Sequence, residues 1–170
     1  MVIVSKVDEG LEEMIVGHLV DNQENARYVQ IIPIQLLESY NSYDPQLLIN
    51  LALKERQQNR LGYLVDIAIE LAEIHELKGI ENKKKSLRHI SSELEKKMNQ
   101  KYDNLLSCLS ESWQKYDEEM YKDADELRRK WKIITDLTPD SLDDYMDIYI
   151  TRRNLVKDHV PPNFNLADYR

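Results

Sequence analysis

Between Gly79 and Pro139 the chain carries neither glycine nor proline, and over most of that span its apolar residues return at a helical interval. Leu87, Ile90, Leu94, Met98, Tyr102, Leu105, Leu109, Trp113, Tyr116, Met120, Ala124, Leu127, Trp131 and Ile134 form the series, thirteen steps over 47 residues. The mean step of about 3.6 is the period of a straight α-helix rather than of a heptad coil. Unbroken, such a helix would be roughly 70 Å long at 1.5 Å per residue. A 170-residue chain cannot bury that length alone. Either the helix breaks, with Asn99 to Asn104 the expected place, or it projects and meets a partner chain.

The remaining segments point to the same class. Gly10 to Val20 has helical spacing in Leu11, Met14, Ile15 and Leu19. At Asp44-Pro45 a capping residue precedes a proline in the first turn, and Leu47, Leu48, Leu51 and Leu53 follow. Leu61 to Leu77 is a further helix with an apolar face of Leu64, Ile67, Ala68, Leu71, Ala72 and Ile74, stopped by Gly79. "TDLTPDSLDD" starts another, with Thr138 as cap, Pro139 in the first turn, and Asp140, Asp143 and Asp144 at the positive end of the dipole. That helix runs to about His159, because Pro161 disfavours helical geometry in Val160. Only "MVIVSKV" and "RYVQIIPI", the latter closed by Pro33, have strand character. The expected architecture is an all-α helical bundle with one long amphipathic helix and minor short strands near the N-terminus. Residues 1–80 form an N-terminal helical region, and 81–170 hold the long helix and a C-terminal helix, as one domain overall.

Composition narrows the function. Hydrophobic residues at 42%, charged residues at 32% and only four glycines fit a helix-rich globular chain rather than a disordered one. The net charge of −8 repels nucleic acid at long range, so an RNA partner would have to be met at a local basic patch. Lone Cys108 excludes an internal disulfide framework and a cysteine zinc cluster, and fits a reducing cytoplasm. No apolar run reaches membrane-spanning length, and Lys6, Asp8 and Glu9 follow the first apolar residues too closely for a signal peptide. The expected setting is cytoplasmic. His18 and His75 lack partners at metal-ligand spacing, and there is no glycine-rich phosphate loop or nucleophile elbow, so neither metal nor cofactor is expected.

The stretch "TRRNLVKDHVPPNF" carries the chemistry. On a helical wheel Asp143, Asp144, Asp147, Thr151, Asn154 and Asp158 share a polar face, while Leu142, Tyr145, Met146, Ile148, Tyr149, Leu155 and Val156 take the opposite arc. Arg152, Arg153 and His159 fall on that apolar arc. Cations turned toward a core or partner need an anion. Carboxylates from the long helix, with His159 capping the last turn, would supply one structurally. Alternatively guanidinium and imidazole form an anion site, where Arg binds phosphate and His moves a proton.

"RNLVKDH" resembles the signature of HEPN-domain proteins, a helical family in which Arg, usually followed by Asn, Asp or His, precedes a His by four to six residues on the last core helix. The resemblance implies that Arg153 and His159 are the catalytic pair of a metal-independent endoribonuclease, with Asn154 positioning them and Arg152 contacting phosphate. It also implies a homodimer that brings two motifs into one cleft. Lys83, Lys84, Lys85, Arg88 and His89 form a basic cluster able to approach RNA, and Arg128, Arg129 and Lys130 form another; a solvated face is the alternative. "KERQQNRLGYLVDIA" is faintly similar to the C-terminal helices of abortive-infection antitoxins. Two functions follow: an RNA-binding protein or ribonuclease of a toxin or defence system, and a non-enzymatic helical module that oligomerises or docks a larger protein through the long helix.

Overall fold

The computed structural model describes residues 10–38, 42–106 and 125–152. In chain order these form α1 (Leu11–Val20), α2 (Ala26–Leu37), α3 (Pro45–Lys54), α4 (Gln58–Ile74), α5 (Glu81–Glu95), β1 (Asp103–Asn104), α6 (Glu126–Trp131), β2 (Ile133–Ile134), a 3-10 turn (Asp140–Leu142) and α7 (Asp143–Arg152). The class is all-α. Helix α4 is central and packs against α5, α2, α3, α1 and α6. Every residue from Gln58 to Ala68 except Arg60 is buried, so α4 is covered on all sides rather than along one stripe. One continuous apolar core runs from Ile15 on α1 to Met146 on α7.

Helix α3 starts as its sequence predicts. Asp44 Oδ1 accepts from the amides of Gln46 and Leu47 at 2.9 and 3.3 Å, and Pro45 fills the position whose missing amide costs nothing. Helix α2 departs from expectation, because "RYVQIIPI" is helical despite Pro33. Its buried residues Val29, Ile32, Pro33, Leu36 and Leu37 recur at three- and four-residue steps, and burial of that stripe outweighs strand propensity and the lost proline amide. "MVIVSKV" lies outside the described residues.

The long series does not form one helix. Helix α5 ends at Glu95, and by Asp103–Asn104 the chain is extended and pairs in parallel with Ile133–Ile134, in the register Asp103↔Ile133 and Asn104↔Ile134. The Asp103 amide donates to Lys132 O at 2.9 Å and the Leu105 amide to Ile134 O at 3.0 Å. Helix α6 is stopped by Lys132, whose φ of 53° is left-handed. Of the expected long helix, residues 107–124 lie outside the described ones. The break falls where α4 supplies bonds for the non-helical backbone.

Candidate functional site

The first turns of α4, from Gln58 to Asp66, hold the C-terminal half of the chain through polar side chains. Asn59 is 2% exposed. Its Nδ2 donates to Asn99 O at 3.0 Å and to Trp131 O at 2.9 Å, and its Oδ1 accepts from the Asn99 amide at 2.8 Å. Gln58 Nε2 donates to Lys97 O at 3.1 Å. Lys97 O and Asn99 O belong to the stretch after α5 has ended and Trp131 O to the last residue of α6, so α4 pairs backbone groups that the helix ends leave without intrahelical partners. Arg60 ties three elements together: Nη1 donates to Leu19 O at the end of α1 at 2.7 Å, and Nη2 to Asp103 Oδ1 of β1 at 2.8 Å. Tyr63 Oη donates to Leu137 O at 2.5 Å.

Asp66 is the anionic centre of this clamp. Its carboxylate accepts from Ser91 Oγ of α5 at 2.6 Å, and from Lys130 Nζ and Trp131 Nε1 of α6, each at 2.8 Å. Burial lowers the Lys130 ammonium, yet the bonded Asp66 carboxylate and Glu95 at 3.6 Å together hold it above the usual lysine range. The Trp131 ring lies flush on Gly62, where even a methyl group would meet ring carbons at 2.2–2.6 Å. Farther along, His75 at the end of α4 lies with Nε2 3.0 Å from Asp143 Oδ1, the first residue of α7.

Beside this clamp a cleft of about 620 Å³ opens between α4, α6 and the turn before α7. Asp66, Glu70, Glu73, Asp125, Glu126 and Asp140 line it together with Ile69, Ile74, Leu127, Thr138, Pro139 and Arg128. Its electrostatics are those of crowded carboxylates. Burial first, then Asp125, Asp140, Glu73 and Asp66, push the Glu70 carboxyl above the usual glutamate range. Arg128 is committed within the fold, with Nη1 donating to Thr135 O at 3.1 Å and Nε 3.2 Å from Asp125 Oδ2.

Lys83, Lys84, Lys85 and Arg88 do not line this cleft. Arg153, Asn154 and His159 lie outside the described residues, and Arg152 closes α7. The basic cluster on α5 is divided. Lys83 turns inward, its ammonium donating to Glu38 O and lying 6.0 Å from the centre of the Tyr43 ring. Burial lowers its basicity, with Glu38 partly restoring it. Lys84 is half-buried, whereas Lys85 and Arg88 face solvent, Arg88 3.5 Å from Glu73. Of the second cluster, Arg128 pairs with Asp125 and Lys130 with Asp66 and Glu95, while Arg129 is exposed. His18 stacks on Tyr28 with ring centres 4.7 Å apart. Among the described residues no His, Cys, Asp and Glu side chains converge closely enough to hold a metal ion, and no helix is long and apolar enough to cross a membrane.

Asn59, Gly62 and Asp66 were not singled out by periodicity. Their signal was local: a glycine, an amide and a carboxylate within an otherwise apolar helix. The fold defines an all-α bundle organised by a polar clamp on its central helix. Comparison with protein families, with curated proteins and with solved structures returned no match.

Proposed function

We propose that this chain is a non-enzymatic helical interaction module that docks a protein partner in a cytoplasmic toxin or defence system. The observation that carries this reading is the disposition of charge. Lys83, Arg128 and Lys130 are used within the fold, while the cleft is walled by carboxylates. Such a cleft repels a polyphosphate and attracts a cationic protein surface. The stretch similar to abortive-infection antitoxins, Lys54 to Ala68, contains the clamp residues Asn59, Gly62, Tyr63 and Asp66, which supports the toxin–antitoxin setting. The test is co-expression with the products of adjoining genes, followed by size-exclusion chromatography. A stoichiometric complex is expected, with no RNA cleavage by the purified chain.

A second reading is metal-free RNA cleavage by Arg153 and His159 in a homodimer, with Asn154 positioning them and Arg152 holding phosphate. The sequence motif carries it, together with the helical path of α7 into that motif. Lys85 and Arg88, exposed on α5, would add phosphate contacts. RNA cleavage in EDTA, abolished in Arg153→Ala and His159→Ala variants of unchanged circular dichroism, would replace the first reading with this one.

A further inference from the structure

The cleft beside α4 combines an apolar floor with charge of one sign. Ile69 and Leu127 are half-buried, while Ile74 is 51% exposed at its edge. Glu70, Glu126 and Asp140 have no ion-pair partner among the described residues. The single cation among the described lining residues, Arg128, is occupied by Asp125 and Thr135 O. A cleft of about 620 Å³ is wide enough for several side chains.

We infer that this cleft docks a basic amphipathic segment of a protein partner, whose Lys or Arg side chains meet Glu70, Glu126 and Asp140 while its apolar residues cover Ile74. The inference rests on the protein-interaction reading and names the chemistry of the partner. A nucleic acid has the wrong charge. A small cation alone would leave the isoleucine edge wet, whereas alternating cationic and apolar residues at helical spacing satisfy both parts of the surface. Burial first, and then the neighbouring carboxylates, raise the Glu70 carboxyl, and an arriving ammonium or guanidinium offsets the repulsion among those carboxylates.

The probe is a fluorescein-labelled helical peptide with lysine and leucine at helical spacing, titrated with the full chain and followed by fluorescence anisotropy. Four proteins are compared: wild type; the cleft variant Glu70→Gln/Glu126→Gln/Asp140→Asn; Ile74→Ser; and a control, Glu13→Gln/Glu24→Gln/Glu55→Gln, which removes the same charge from exposed sites elsewhere. Circular dichroism checks each fold. The cleft variant should bind about tenfold or more weakly and Ile74→Ser severalfold more weakly, while the control stays within about twofold of wild type. Equal weakening in the cleft and control variants would reduce the effect to general charge attraction and overturn the cleft. So would unchanged binding by the cleft variant, or no binding by wild type. None of those results touches the co-expression complex, by which the protein-interaction reading is judged separately.

Discussion

Gly62→Ala should destabilise this protein, although the same change in an ordinary helix interior does the reverse. Alanine at an exposed helical position gains about 1 kcal/mol over glycine. At position 62 the added Cβ would lie 2.2 Å from one carbon of the Trp131 ring and within 2.6 Å of two others, far inside contact distance. Trp131 is fully buried, and its Nε1 is fixed by the 2.8 Å bond to Asp66. The ring cannot withdraw without repacking the core or breaking that bond. Overpacking costs about 1–3 kcal/mol, and weakening one donor to a buried acceptor costs a further 1–3 kcal/mol or so. Ser91 and Lys130 still serve the Asp66 carboxylate, which keeps the second contribution near its lower end. After the helical gain of about 1 kcal/mol, a net loss of about 1–3 kcal/mol remains. Urea unfolding followed by circular dichroism would read this as a midpoint lowered by about 0.5–2 M. Trp131→Phe withdraws the outer ring, so Gly62→Ala in that background should cost under about 1 kcal/mol, and the difference is the coupling between the two positions. A Gly62→Ala protein as stable as wild type or more so would refute the close approach of Trp131 to α4.

Asp66→Asn presents an amide where Lys130 and Trp131 both need an acceptor, and should lower stability by about 2–3 kcal/mol; Ser91→Ala removes only one neutral donor and should cost about 1 kcal/mol, both measured by chemical denaturation. A milder effect from Asp66→Asn than from Ser91→Ala would remove Asp66 from the centre of the clamp. Tyr63, raised by burial and then by Asp125, and Tyr43, raised by burial, both hold their hydroxyl protons well beyond the ordinary tyrosine range. With folded values above the unfolded value of about 10, each contributes stability that is complete below that pH and is lost as pH rises toward the folded values. The fold should therefore weaken above about pH 10, and less so in the Tyr43→Phe/Tyr63→Phe double variant. Tyrosinate absorbance showing every tyrosine ionised near pH 10 in a chain that is still folded would contradict this.

What the sequence made legible is what depends on neighbours in the chain. Asp44 capping α3 is a contact across two or three residues, and "DPQLL" is enough to announce it. The apolar stripe of α2 is also local, but its strand-forming Val and Ile residues and Pro33 pointed the other way, and packing on α4 decided the outcome. The long series is the instructive case. Among its described members Leu87, Ile90, Leu94, Leu105 and Trp131 are fully buried, whereas Tyr102 is 45% exposed. The spacing leaves its continuity open, with Asn99 to Asn104 the expected break, and the chain does leave helical geometry between Glu95 and Asp103. Apolar spacing alone cannot decide this, because it records only that a residue faces inward, whereas helix continuation also needs each carbonyl bonded four residues on.

The competing partner is Asn59, 40 residues from Asn99 and 72 from Trp131, separations at which no periodicity connects donor to acceptor. A different class of signal was present in "QNRLGYLVD". Asn and Asp on buried turns are unfavourable unless satisfied, and a glycine inside a helix is unfavourable unless something must come close. Three locally costly choices within eight residues of one helix imply compensation from elsewhere in the chain. Here it comes from backbone released at the end of α5, from the Lys130 ammonium and from the Trp131 indole. The same reasoning bears on the cleft. Its carboxylates were spread over α4, α6 and the turn before α7, and each alone reads as a solvated surface residue. Only the packing of α6 onto α4, imposed by Gly62 and Asp66, sets them around one apolar floor, so the charge pattern that selects a partner is a consequence of the clamp.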